Sequence, residues 1–291
     1  MTKIIALTTC HNRCNLTLRG LHTLKKQEIP NGFYLDIVLV DDGSVDGTGD
    51  AVRKMFPEVN VLNGSGDLFW AGGMRFGWNE FVKQQDFKYL IVFNDDITLY
   101  NNAISQLLFS ASKLEKSGCK LFAVVGGFKD PSLNATSYGG VVFDSQWHPL
   151  RYHKLNPSNT IQDCDTLNMN FALLSKEALN LTGFLSPEFV HAKADFDFGL
   201  RLRTSGGRVV LAPGYVGECK NESAVEFNKN DSLRKQWEKL INVKIEPPRE
   251  RFIFYKRHGG IFWLIFFFLP YFKFCFLFTK IKLQNLSRKL F

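Results

Sequence analysis

The first half of the chain alternates short apolar runs with longer amphipathic stretches, the rhythm of parallel strands joined by helices. Aliphatic and β-branched residues predict strands over residues 4–9, 36–40, 59–62, 89–93 and 121–125. Helical spacing predicts helices over 16–26, 50–56, 74–84 and 103–116. Several of these strands end in polar residues, where an open α/β sheet forms its ligand crevice. Past Gly126 the rhythm breaks. Gly139, Gly140, Trp147 and Pro149 punctuate strand-like pieces, a small β-rich insert suited to a second binding site. A helix signal returns over 195–203 and stops at Gly206 and Gly207, before a strand at 208–212. Residues 1–217 thus form a catalytic-sized α/β body, and 218–248 a polar helix and linker ending in Pro247 and Pro248.

The last segment, 249–291, has a different composition. Nine of the 36 Lys and Arg follow Pro248, against one of the 28 acids, so residues 1–248 hold 27 of each. The net charge of +8 therefore belongs to the tail, and nothing in the neutral body points to nucleic acid. The tail also carries 11 of the 28 Phe. Within it, IFWLIFFFLPYFKFCFLF at 261–278 is short for a spanning helix, is interrupted by Pro270, and holds Lys273 near its centre. This pattern predicts an anchor on or re-entering a membrane surface. A true span, a buried helix pair and a dimer interface are the other readings. No leader is expected from the short apolar run at 4–7. Six cysteines without a C-x-x-C pair fit reduced cytosolic thiols rather than zinc or disulfides.

Three acidic clusters fall where strands end or a helix begins. Asp41 and Asp42 follow IVLV and precede a Gly-Ser turn. A capping role accounts for Asp46 or Thr48 but not for two adjacent carboxylates, which suit a ring N–H or a ribose hydroxyl. Asp95 and Asp96, after YLIVF and Asn94, suit Mg2+ or Mn2+ shared with a diphosphate. In ADFDFGLR, Asp197 pairs with Arg201 at i+4 as on a helix surface, which frees Asp195 to act as a general base. Gly72 and Gly73, placed just before a helix at Met74, would let N–H groups reach a diphosphate, with Arg75 adding charge. Taken alone, a glycine pair is as well explained by a turn. Phe69 and Trp70 could stack on a base or sugar, or belong to the core. Asn168 and Asn170 are candidates to face an acceptor, and His191 to bind acceptor or metal.

These clusters, in this order, resemble the family-2 glycosyltransferases over roughly residues 3–221. TTCHNR at 8–13 is similar to the family's first-strand motif, which implies that Thr9, His11 and Asn12 meet the nucleoside. VDDGSVDGT resembles its second motif, implying that Asp42, with Asp41, contacts the base. FNDDI resembles the metal-binding acids, implying Asp96 as direct ligand and Asp95 nearer the sugar or ribose, with Asp95 and His191 as further metal candidates. ADFDFGLR resembles the motif whose first Asp is the base, here Asp195. GDLFWAGG, with Asp67, Trp70, Gly72 and Gly73, and PGYVGECKN at 213–221 resemble a rhamnosyltransferase-like branch of surface polysaccharide assembly. The Glu that usually precedes the base is Ala194 here.

The resemblance implies the α/β GT-A fold: a mostly parallel sheet flanked by helices, a small β-rich acceptor region, and here a helical hydrophobic tail. It also implies transfer of a hexose, such as rhamnose, with inversion. The donor would be a UDP-, dTDP- or GDP-linked sugar, with Mg2+ or Mn2+ as cofactor and a glycan or lipid-linked glycan as acceptor. The expected place is the cytoplasmic face of the cytoplasmic membrane, held through 249–291. A nucleotidyltransferase of similar fold would carry a Gly-rich loop after the first strand, where CHNRCN stands. A membrane-tethered binding module for nucleotide sugars is the non-enzymatic reading.

Overall fold

Residues along the strands alternate between two cores. Ile5, Leu7, Val38, Val40, Leu90 and Val92 face one, while Ile4, Ala6, Ile37, Leu39 and Ile91 face the other. A sheet covered on both sides requires this, because successive side chains point to opposite faces. The computed structural model describes residues 1–145, 151–221, 232–243, 245 and 247–290, with side chains described to Thr279. Trp147 and Pro149, and residues 222–231, 244 and 246 of the expected linker, lie outside the described residues.

A parallel half comes first, with β1 (Thr2–Cys10), α1 (Cys14–Lys25), β2 (Phe33–Asp41), α2 (Thr48–Met55), β3 (Asn60–Asn63), α3 (Phe69–Glu80) and β4 (Tyr89–Phe93). β2 and β4 flank β1, and β3 pairs with β2, all in parallel. The second half opens with β5 (Thr98–Leu99), α4 (Ala103–Lys116) and β6 (Phe122–Lys129). Short strands follow: β7 (Thr136–Tyr138), β8 (Gly140–Phe143), β9 (Tyr152–Lys154), β10 (Gln162–Cys164) and β11 (Thr166–Leu167). β12 (Phe171–Ser175), α5 (Lys176–Thr182), α6 (Ala194–Thr204) and β13 (Arg208–Glu218) complete the body. After it come α7 (Leu233–Ile241), α8 (Pro248–His258) and α9 (Trp263–Leu290).

The main sheet runs β10-β13-β6-β12-β4-β1-β2-β3, with β5 on β13 and β7 on β6, and β11-β8-β9 form a small antiparallel sheet. β12 was not among the expected strands. It lies antiparallel between β4 and β6, so its beginning, not its end, sits at the edge where β1, β2 and β4 finish.

Three expectations change. α3 begins at Phe69 rather than Met74, which places Gly72 and Gly73 inside its first turns. α9 passes through Pro270 as one helix instead of breaking into two pieces. Proline removes a single hydrogen bond there, and packing on both sides of it sustains the helix. The tail does not separate at Pro248 either. In α8, Phe254 and Tyr255 are each 1% exposed within the same core as α3 and α6, and Glu250 and Arg251 are buried. α8 is part of the body.

α9 has two faces. Trp263, Phe266 and Phe267 pack onto that core, and Phe274 stacks on Trp237 of α7. Leu264, Ile265, Phe268, Phe272 and Phe276 are exposed, continuing from Ile261. The 20-residue segment Gly260–Thr279, mean hydropathy 2.1, is long and apolar enough to cross a membrane.

Candidate active site

Because β1, β2 and β4 are parallel, their last residues open on one edge of the sheet. The loops after β1 and β2 are stitched together. Asn12 N–H donates to Ser44 Oγ (2.9 Å), Val45 N–H to Asn12 Oδ1 (2.7 Å), and Cys14 N–H to Asp46 Oδ2 (3.0 Å). His11 Nδ1 lies 2.5 Å from the Asp42 carbonyl oxygen, and the Thr9 hydroxyl donates to the Val40 carbonyl at 3.2 Å. Thr9, His11 and Asn12 therefore sit together where β1 and β2 end.

Asp42 has another occupation. It is 3% exposed, and its carboxylate accepts N–H groups from Gly66 (2.8 Å), Leu68 (2.9 Å) and Phe69 (3.2 Å). Its charge organises the turn that leads into α3. Gly43 and Gly66 have φ of 64° and 101°, and a Cβ on Gly43 would come within 2.7 Å of Gly66 Cα. Asp41 accepts Ser44 N–H at 3.2 Å and is buried. Asp67 is exposed and accepts the Ser65 hydroxyl.

The glycine stretch and Arg75 are used differently from expectation. A Cβ on Gly73 would lie 2.3 Å from Thr9 Oγ1, and one on Gly77 2.5 Å from Leu7 Cδ1, so these glycines let α3 press against β1. Gly72 meets only Leu68 and Arg75 side-chain atoms. Arg75 turns away from the crevice and donates to the carbonyls of Ser186 (3.0 Å) and Phe189 (2.6 Å), holding the loop before α6. Ala71 N–H donates to the Val190 carbonyl, and Val190 N–H to Glu250 on α8, so α3 and α8 both grip that loop. Trp70 donates its indole N–H to Asn94 Oδ1 at 2.9 Å, a link from α3 to the end of β4.

At that end the two acids share one cation. Arg13 Nη1 is 3.4 Å from Asp95 Oδ1 and 3.1 Å from Asp96 Oδ2, and the Thr17 hydroxyl donates to Asp95 Oδ2 at 3.3 Å. Burial, with Asp96 adding repulsion and Arg13 and Thr17 opposing, pushes Asp95 up to about 6. Asp96 keeps part of its surface, with Cys219 Sγ 3.9 Å away. The sequence carries no signal for this pairing, since a contact across 83 residues has no local signature.

Asp195 stands in the first turn of α6. Phe196 N–H donates to it at 2.8 Å, and Asn168 and the Met169 N–H also reach its carboxylate. Burial raises its pKa above the ordinary carboxylate value, against these bonds and the charge of Lys193. Asn170, two residues beyond Asn168, accepts Asn94 N–H on its carbonyl oxygen at 2.9 Å. The segment 168–170 therefore touches Asp195 at one end and the acid-bearing loop of β4 at the other. Asp197 is not on the surface, as the i+4 spacing suggested. It is fully buried and meets Arg201 Nε (2.7 Å), Arg257 Nη1 (2.6 Å) and His258 Nε2 (2.9 Å), the last two from α8.

Asp95 and Asp96 offer hard oxygen donors suited to Mg2+ or Mn2+, and Asp96 is the more accessible of the two. Among the described residues no three His, Cys, Asp or Glu side chains gather for a metal. Such an ion commonly completes its shell with ligand oxygens and water. His191 is not gathered with the acids and sits edge-on to Phe69, ring centroids 6.5 Å apart.

Comparison with known proteins gives the geometry a context. No curated protein sequence matches significantly. Among solved structures, the mannosyltransferase PcManGT from Pyrobaculum calidifontis, in complex with GDP-Man and Mn2+, superimposes with a TM-score of 0.53 at 14% identity, covering 87% of this chain and 61% of that one. TarS 1-349 of S. aureus gives 0.53 at 14% identity, covering 87% and 69%. GalNAc-T7, with UDP, GalNAc and Mn2+, gives 0.58 at 14% identity, covering 99% and 57%. At such identities the likeness is one of fold, and this chain spans under two thirds of the first and third. The family model described as "Glycosyl transferase family 2" matches residues 6–180, which include the ends of β1, β2 and β4 and the segment 168–170. With its mostly parallel sheet and its acids at the crevice edge, the chain belongs to glycosyl transferase family 2, a glycosyltransferase of GT-A fold.

Proposed function

We propose that this glycosyltransferase transfers a hexosyl residue, of which rhamnose is one candidate, from a nucleoside-diphosphate sugar to a glycan acceptor with inversion. The observation that carries the reading is the segment 168–170, which touches Asp195 through Asn168 and the end of β4 through Asn170. This short turn puts the candidate base and the acid-bearing end of β4 on the same side of the sheet edge, as a displacement between acceptor and diphosphate needs.

Asp195 takes the proton of an acceptor hydroxyl as its oxygen bonds to the anomeric carbon, and the bond from that carbon to the diphosphate oxygen breaks. Burial raises the basicity of its carboxylate, and Asn168 and two backbone N–H groups fix its direction. Asp96, with Asp95 beside it, would hold Mg2+ or Mn2+, which when bound supplies charge to the departing nucleoside diphosphate. Arg13 keeps the two acids together. Thr9, His11, Asn12 and Asp41 line the nucleoside side, while Asn168 and Asn170 stand on the acceptor side. The exposed apolar face of α9 supports attachment through that helix to the cytoplasmic face of a membrane, and with it a lipid-linked acceptor.

The test is release of nucleoside diphosphate from UDP-, dTDP- and GDP-sugars with Mn2+, with and without lipid-linked glycan. Release that needs the acceptor, is lost in Asp195→Asn, and leaves donor binding within a few-fold is the expected result. Wild-type turnover in that variant would refute the base, and donor binding unchanged in EDTA would refute the metal.

A further inference from the structure

Arg13 stands between the two acids at the end of β4. Its Nη1 lies 3.4 Å from Asp95 Oδ1 and 3.1 Å from Asp96 Oδ2, one oxygen of each carboxylate. The other two oxygens have different neighbours: the Thr17 hydroxyl on Asp95 Oδ2 at 3.3 Å, and Cys219 Sγ 3.9 Å from Asp96 Oδ1. The oxygens that a bridging cation would use are thus the pair that the guanidinium already holds. Arg13 is also placed to let go of them. Its side chain is 39% exposed, against 7% and 18% for the two acids. Its backbone is fixed independently, because the Arg13 carbonyl accepts Thr17 N–H at 2.9 Å where α1 begins. Asn12 before it, with φ 52°, is tied to the loop after β2 through Ser44 and Val45. The side chain can therefore move while the loop that carries it stays.

We propose that Arg13 competes with the divalent cation for Asp95 and Asp96, so that guanidinium and ion hold the pair in turn. The proposal rests on reading these two acids as the metal ligands. An ion bonded to Asp96 Oδ2 at about 2.1 Å would lie at most about 5 Å from Nη1 as it now stands. Two cations at that separation repel strongly in a partly buried site. Arginine cannot relieve the conflict by giving up its proton, so the side chain has to swing out. Moving it lowers the affinity of the pair for the bare ion. In return the acids, of which Asp95 is buried, have a counter-charge whichever cation is present.

The full-length protein in detergent micelles is titrated with Mn2+, and the free aqueous ion is read by its EPR signal. Asp96→Asn is expected to lose binding, which identifies the site. Arg13→Gln is expected to bind Mn2+ about tenfold more tightly than wild type, and Arg13→Lys, which keeps the charge, to stay within about threefold of it. Equal or weaker binding in Arg13→Gln overturns the proposal, because the arginine then only braces the acids. Should that variant fail to fold, wild-type protein labelled with 15N-arginine is titrated with Mg2+, Arg13→Lys identifying the Arg13 Nε resonance. The signal is expected to shift and to exchange faster with water, and an unmoved signal at saturating Mg2+ overturns the proposal. Neither titration contains a sugar nucleotide. Wild-type Mn2+ affinity in Asp96→Asn would instead remove the metal reading, and this proposal with it, so the two failures are told apart.

Discussion

Asp197→Asn is expected to destabilise the protein more than any other single change of one side-chain group near the crevice. The carboxylate is fully buried and receives Arg201, Arg257 and His258. Removing one partner of a buried ion pair costs about 3–5 kcal/mol, mostly from the charges left behind. Here Arg201 and Arg257 are 21% and 31% exposed and regain some water, which places the loss near the lower limit, about 3 kcal/mol. At roughly 2–4 °C per kcal/mol this is a fall in Tm of about 6–12 °C, read by circular dichroism in detergent. Burial alone would raise the Asp197 pKa, but the His258 bond and the two guanidinium groups outweigh it, and the net shift is downward. A depressed carboxylate contributes stability above its unfolded value, near pH 3.9, and loses that contribution as pH falls through the folded value. The gap between wild type and variant should therefore close in acid. A fall in Tm below 2 °C at pH 7, or a gap that widens below pH 4, would refute the reasoning.

Other outcomes follow from the same geometry. A chain ending at Pro247 lacks Phe254, Tyr255 and two of the partners of Asp197, Arg257 and His258; at about 1.5–3 kcal/mol per buried aromatic it should fail to give a cooperative melt. One ending at Gly259 should melt cooperatively and lose binding to anionic liposomes. Gly73→Ala forces a methyl against Thr9 and is expected to cost about 1–3 kcal/mol in urea unfolding, whereas Gly72→Ala, facing side chains only, should cost less than 1. Because Asp195 is raised by burial, the acid limb of kcat/KM should fall above the ordinary aspartate value of about 3.9, and a limb at or below it would count against Asp195 as the titrating group.

The ends of β1, β2 and β4 were legible because each joins a local apolar run to polar residues, and both signals lie within ten positions. β12 was not, since FALLS is too short for its period to separate strand from buried helix. α8 was masked by its own composition: Arg and Lys interleaved with Phe254 and Tyr255 read as a basic tail, although that face completes the core. Asp42, Arg75 and Asp197 stand out as charged groups, but apart from Arg201 beside Asp197 their partners lie 24 to 114 residues away. Residue type revealed that each had to be satisfied, and only the folded chain revealed by what.

The position of α8 has a consequence for how the protein is made. The apolar face of α3, α5 and α6 is finished by residues near the end of the chain, so during synthesis it stays open until residue 258 has emerged. An unsealed core is prone to aggregation, and the length of that exposure depends on translation speed. Five residues after α8 the chain enters α9, whose outer face is itself apolar. Closure of the core and arrival of the greasy helix are thus nearly simultaneous. Faster synthesis through residue 258, or a chaperone that shields this face, should raise the yield of folded protein without altering any contact in the finished fold.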